Sequence, residues 1–270
     1  MLLIFVFLLK DAVSLGGSYS FLDFLTGRNW YPISTPPVFG ALPLILGSLL
    51  VTAIAVVIAV PLGVGTAIYL AEIAPAWLRE TMKPAIEVIA AIPSVVLGFI
   101  GLTLMAPFIQ SLFNINTGLT AFTGGLVLAF MALPTIISIA EDAITSVPRA
   151  YRQGSLALGA TPWQTTSRVV VPAAMSGISA SVMLGIGRAI GETMVVLMVT
   201  GNAAVMPTSL DSIFKPVRTL TGTIAQEMGE TVFQSPHYYA LFAVGLILFV
   251  ITFIINWIAD VVLHRYREAE

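Results

Sequence analysis

Arg188 and Glu192 stand four residues apart in the middle of an apolar run, 173–201, that reads AAMSGISASVMLGIGRAIGETMVVLMVTG. The run is long enough to cross a bilayer. A charge at the centre of such a helix costs roughly 2.5–3.5 kcal/mol even on lenient insertion scales, so a chain keeps one only where it faces protein or water. The chemistry open to the pair is that of a polar pathway. The guanidinium is a fork of hydrogen-bond donors, and a carboxylate at i+4 shares its helix face and can neutralise and aim it. An ion pair that only joins helices is the plainer alternative.

The rest of the chain must then be a membrane scaffold. It is 57% hydrophobic and 10% charged, with a mean hydropathy of +0.96, far from the average soluble domain. A hydrocarbon core of ~30 Å needs about 20 apolar residues as helix. Residues 41–71, 84–112, 119–146, 173–201 and 238–263 each meet that length. The opening MLLIFVFLLK is apolar but short, and 1–15 is read as the end of a first span whose start lies upstream. The expected fold is therefore an all-α integral membrane protein of about six transmembrane helices. Residues 16–40 form an extracytoplasmic segment, 41–264 a five-helix core and 265–270 a cytoplasmic tail. The formal net charge of −2 and the absence of any basic run give no reason to expect nucleic acid, and the lack of cysteine excludes disulfides and thiolate metal sites on this chain.

Charge orients the bundle. Loops 72–83 and 148–172 and the tail carry Arg79, Lys83, Arg149, Arg152, Arg168, Arg265 and Arg267; segments 16–40, 113–118 and 202–237 carry only Arg28, Lys215 and Arg218. The first group belongs in the cytoplasm. Gly177, Ser181 and Gly185, and again Gly187 and Gly191, recur at the four-residue spacing that lets membrane helices approach closely. Pro61, Pro93, Pro107 and Pro134 lie inside expected spans, where each kinks a helix or frees a carbonyl. Among the remaining ionisable groups, Glu87 reads as a carboxylate at the start of its span, Glu141 and Asp142 as a solvated pair at a cytoplasmic end, and Arg218 as a contact or cap on the outer side. His237 and His264 are far apart, and no metal site is expected.

The connection 150–172, AYRQGSLALGATPWQTTSRVVVP, is amphipathic rather than apolar. Gly159 breaks its helical pattern and Thr161-Pro162 restarts it, Thr as an N-cap and Pro at the first helical position. Two short helices on the inner face would present a knob to a soluble partner.

These residues carry a resemblance. Gly159, nine residues, then Val169, one residue, Val171 and Pro172 resemble the coupling-loop signature of ABC-importer permeases, EAA-x3-G-x9-I-x-L-P. The chain departs at the EAA positions, occupied by Gln153, Gly154 and Ser155, and Ala157 and Ala160 flank the glycine. GRAIGETMVV (187–196), SLDSIFKPVRTLTGTIAQEMGE (209–230) and IEVIAAIPSVVLGFIGL (86–102) are similar to phosphate-importer permeases of the PstC type, from about Phe24 to the C-terminus. The resemblance implies a type I importer permease (MetI-like) in a bacterial or archaeal inner membrane. It implies a second homologous permease subunit, two ATP-binding subunits, with the coupling loop docked into a groove on the ATP-hydrolysing subunit, and an extracytoplasmic phosphate-binding protein. ATP and Mg would be held by those partner subunits, with no cofactor on this chain. Arg188 and Glu192 would line the substrate pathway.

Chemistry agrees with that implication. Phosphate offers several acceptor oxygens and at least one negative charge, which suits a guanidinium that stays protonated better than lysine. Glu192 would accept a hydrogen bond from a phosphate OH, a contact that fully deprotonated sulfate lacks. No G-x4-G-K-[ST] occurs, so the usual phosphate-cradling loop for ATP is not on this chain and it is not expected to be an enzyme. The alternatives are a sulfate or molybdate permease of the same fold, an ion-gradient-driven anion carrier, and an intramembrane enzyme.

Overall fold

A computed structural model describes residues 2–17 and 19–267. Met1 of the expected first span, Ser18 of the extracytoplasmic segment and residues 268–270 of the expected tail lie outside the described residues. In chain order the elements are α1 (Leu2–Ser14), α2 (Phe21–Thr26), a hairpin of β1 (Trp30–Tyr31) and β2 (Val38–Phe39), then α3 (Leu42–Ile73), α4 (Ala76–Ala90) and α5 (Ser94–Phe113). After these come α6 (Ala121–Ser146), α7 (Arg149–Ala157), α8 (Pro162–Ala173), α9 (Met175–Gly191), α10 (Met194–Val199), α11 (Leu220–Glu227) and α12 (Pro236–Arg267).

Helices α3, α5, α6 and the Pro236–Ile258 part of α12 are long and apolar enough to cross a membrane; α8 and α9, bent by 68°, make a fifth if taken together. With α1, whose 13 residues reach only about 20 Å, the arrangement is that of the expected six. Three of the expected spans, 41–71, 119–146 and 238–263, each fall on a single helix to within two residues. The other two are corrected. Residues 84–112 are not one helix: α4 ends at Ala90, Pro93 takes an extended ψ of 137° and caps α5. A proline disfavours helix at the residue before it, and α4, with Arg79, Glu80, Lys83 and Glu87, is too polar to be part of a span. Glu87 is therefore exposed in the last turn of α4 rather than at a helix start. Residues 173–201 likewise divide, because Glu192 and Thr193 interrupt the helix.

Two prolines are absorbed by a widened turn. The N–H of Ala106 reaches the carbonyl of Gly101, five residues back, directly before Pro107. The N–H of Val171 reaches Thr166 directly before Pro172. A proline ring crowds the carbonyl four residues back and supplies no N–H; a π turn leaves room for it.

The chain divides into two compact units. The first comprises Met1–Ala55, Pro93–Leu128 and Ile190–Ile254. Its core gathers Leu15, Phe24, Trp30, Phe39, Leu44, Leu220 and Leu241, all at most 2% exposed. Trp30 packs edge-on against Phe39 with ring centroids 5.9 Å apart. The Glu227 carboxylate ties three segments together: it accepts from Arg218 Nη1 (2.5 Å) and Trp30 Nε1 (3.1 Å) and bonds His237 Nε2 (2.8 Å). Arg218 is thus largely buried in a structural network, and Thr219 Oγ1, accepting from Gly222 N–H, caps α11.

The second unit comprises Val56–Ile92, Ala129–Ala189 and Ile255–Glu270. Its core joins Ala67 of α3, Ala140 and Ile144 of α6, Val170 of α8 and Ile178 of α9. Helix α9 lies against α6 through its small residues: a side chain at Gly185 would run into Ile136, and one at Gly177 into Ala143. A Cβ at Gly187 or Gly191 would meet open space, so only the first of the two small-residue stripes is used in packing here.

Candidate functional site

Arg188 sits near the C-terminal end of α9 in the second unit. Its Nη1 donates to Thr135 Oγ1 of α6 at 3.1 Å and its Nη2 to the carbonyl of Ala90 at 3.4 Å. Ala90 is the last residue of α4, where helix carbonyls lack intrahelical partners and the helix carries partial negative charge. The guanidinium is therefore held by a hydroxyl and a helix end, partners that lie 53 and 98 residues away in sequence. Only two of its five N–H donors have protein acceptors among the described residues. Nε is one without, and it is not among the buried unpartnered atoms.

Glu192 belongs to the first unit. Helix α9 stops at Gly191, so the i+4 geometry of a continuous helix does not reach it. Its Oε1 accepts from the backbone N–H of Met194 (2.9 Å) and Val195 (3.3 Å), capping α10 as a carboxylate favours. Its carbonyl accepts from Thr221 Oγ1 at 2.9 Å. Oε2 has no protein donor among the described residues.

The connection 150–172 folds as its sequence implies. Gly159 takes φ +85°, in the left-handed region. Thr161 then caps α8 in a capping box with Gln164, with Pro162 at the first helical position. Gln153, Gly154, Ala157, Gly159 and Pro172 are exposed; Ser155, Ala160 and Val169 are half-buried. Gly154, Ser155, Leu158, Ala160, Gln164 and Val169 line an open groove of about 590 Å³, and Ser155 and Thr165 bridge its two helices at 3.0 Å. Leu158 is 91% and Trp163 68% exposed.

Arg152, in this loop, was legible only as one more positive charge. It is the fastener: Nη2 reaches Glu72 Oε1 at 2.7 Å and the Ile144 carbonyl at 2.9 Å, and Nη1 the Val147 carbonyl at 2.5 Å. It thereby binds α7 to the π turn ending α3 and to the carbonyls at the C-terminal end of α6. Beside it, Glu141 is not solvated but 4% exposed. It accepts from Lys83 at 2.8 Å and Thr145 at 3.0 Å, while exposed Asp142 holds the same ammonium at 2.5 Å. Hydrogen bonds that Lys83 donates to Asp142 and then to Glu141 hold its ammonium above its ordinary range, so Lys83 stays charged throughout the neutral region. Thr135, Ala90, Glu72 and Lys83 carried no sequence signal for these contacts, each of which joins elements far apart in the chain.

Known proteins share this architecture. The MetNI methionine ABC transporter in an inward-facing conformation superposes with a TM-score of 0.63 at 19% identity, covering 82% of this chain and 93% of that one. A bacterial alginate ABC transporter in complex with alginate pentasaccharide-bound periplasmic protein gives 0.64 at 15%, over 95% and 87%. These likenesses show that the chain shares its fold with chains of ABC transporters. By sequence, the probable ABC transporter permease protein YqgH of Bacillus subtilis (strain 168) is 46% identical across 86% of this chain and 74% of its own length. The phosphate transport system permease protein PstC of Mesorhizobium japonicum is 41% identical across 98% and 86%, and that of Pasteurella multocida 37% across 99% and 90%. Residues 59–268, which hold Arg188, Glu192 and the whole loop around Gly159, match one family. The chain belongs to the binding-protein-dependent transport system inner membrane components.

Proposed function

We propose that this chain is the permease subunit of an ATP-driven importer that carries inorganic phosphate into the cytoplasm, forming half of the pore with a second homologous permease. Similarity across nearly the whole chain to permeases named for phosphate supports the substrate. The observation that carries the chemistry is Arg188, a permanently charged fork with donors to spare. Arg188 and Glu192 each contribute to the anion's path, Arg188 through its unpaired N–H groups and Glu192 through an acceptor for the phosphate OH. The contact is transient and weak, since a tight one would stop transport; tight recognition belongs to an extracytoplasmic phosphate-binding protein.

Work comes from two partner ATP-binding subunits, which hold ATP and Mg. The loop that carries Gly154, Ser155, Ala160 and Val169, with exposed Gln153, Ala157 and Gly159 around them, docks into one of these subunits, and Pro172 passes the push into the bent helix that follows. Arg152 passes it to α3 and α6. ATP-dependent uptake of radiolabelled phosphate into proteoliposomes holding the assembled complex tests this reading. Uptake that excess sulfate and molybdate leave intact is expected. Uptake of sulfate or molybdate in place of phosphate would discard the substrate, and uptake independent of ATP would discard the importer.

A further inference from the structure

We propose that Thr135 is a second ligand of the anion, its hydroxyl bridging Arg188 and an oxygen of the passing phosphate; this rests on the reading of Arg188 as part of the anion's path. The argument begins with how helical threonines spend their one O–H. Thr66, Thr81 and Thr103 donate to the carbonyl four residues back, at 2.7, 2.8 and 2.8 Å, and Thr223 does the same at 2.8 Å. That is the usual resting place for the proton. Thr135, also inside a helix, makes no such bond among the described residues. Its oxygen instead accepts from Arg188 Nη1 at 3.1 Å.

A hydroxyl has one donor and two acceptor sites. With Arg188 on one lone pair, the O–H is left to donate, and the adjacent positive charge makes it a stronger donor, because hydrogen bonds in a chain polarise one another. The group beside it has the same surplus: Nε of Arg188 and two Nη hydrogens lack protein acceptors among the described residues. Thr135 and Arg188 are each half-buried, shielded enough for such bonds to count and open enough to be reached. No carboxylate is bonded to this guanidinium among the described residues of the second unit; its protein partners are neutral. A net positive group flanked by surplus donors, with no acid bonded to it among the described residues of its unit, fits an oxyanion and repels a cation. The Ala90 carbonyl completes the mount by fixing the second Nη, so the fork does not have to be ordered when the anion arrives.

The test uses the assembled importer in proteoliposomes with saturating phosphate-loaded binding protein, comparing Thr135→Val, Thr135→Ser and Arg188→Ala. Valine keeps the shape and removes the hydroxyl; serine keeps the hydroxyl. Thr135→Val is expected to lower phosphate uptake per ATP hydrolysed by about tenfold, the scale of one hydrogen bond to a charged group, and Thr135→Ser to restore it. The yield of assembled complex should stay at wild-type levels in both. Wild-type uptake in Thr135→Val, or equal impairment in valine and serine variants, would overturn the role of the hydroxyl. Wild-type uptake in Arg188→Ala would overturn the anion-path reading itself, whatever Thr135 does.

Discussion

Arg152 holds Glu72 at 2.7 Å while its other guanidinium nitrogen binds the Val147 carbonyl at 2.5 Å. One side chain of the loop thus grips two long helices, α3 through Glu72 and α6 through its C-terminal carbonyls. The two members are 22% and 11% exposed in their side chains, so the pair is partly shielded from water and salt. Truncation leaves the partner half-buried and unpaired.

Arg152→Ala is expected to cost about 2–3 kcal/mol, the upper range for hydrogen bonds to a charged group, and to lower the melting temperature of the detergent-solubilised complex. It should also reduce transport per ATP hydrolysed, because the loop would yield instead of pulling on α3 and α6. Glu72→Gln, which keeps an acceptor, should lose less on both readouts. An Arg152→Ala complex as stable and as well coupled as wild type would show the grip to be incidental.

At Gly159 the constraint is conformational. The residue sits at φ +85°, yet a Cβ there would touch nothing within 4 Å. Gly159→Val is therefore expected to strain the turn by about 1–3 kcal/mol and to weaken copurification of the ATP-binding subunits, whereas Gly159→Asn, whose side chain tolerates the left-handed region, should retain them. Equal behaviour of the two variants in a pull-down would show that the turn conformation does not matter to docking.

The two small-residue stripes separate in the same way. Gly185→Leu drives a side chain into Ile136 and is expected to cost about 1–3 kcal/mol by overpacking, read as lower yield and melting temperature. Gly187→Ala enters open space and should leave both unchanged in the isolated chain. The reverse ranking would mean that α9 packs through the other stripe.

Much of this was legible in the sequence because its determinants are local. An uncharged run such as 42–68 leaves a membrane helix as its one low-energy state, and Thr161-Pro162 carries its own N-cap and starting φ. The breaks were less legible. Pro93 looks like a kink inside an apolar stretch until the polarity of α4 is weighed, and the helix end before Glu192 depends on a carboxylate turning back to the N–H groups of Met194 and Val195. Least legible were the partners of Arg188. The spacing pointed to Glu192, four residues on, while the bonded groups of the second unit are Thr135 and the end of α4, brought close only by tertiary packing. The same holds for Glu141, which reads as a surface acid until Lys83 is folded against it.

The most direct measurement is ATP-driven phosphate uptake by the reconstituted importer with Arg188 changed to Ala and to Lys, alongside ATP hydrolysis in the same vesicles. Loss of the fork's charge-assisted bonds is expected to lower uptake by about a hundredfold in Arg188→Ala. Arg188→Lys, which keeps the charge without the planar fork, should recover only part of it, and hydrolysis should persist in both. Uptake at the wild-type rate in Arg188→Ala would contradict the account and leave the residue a structural clasp between α9, Thr135 and the end of α4.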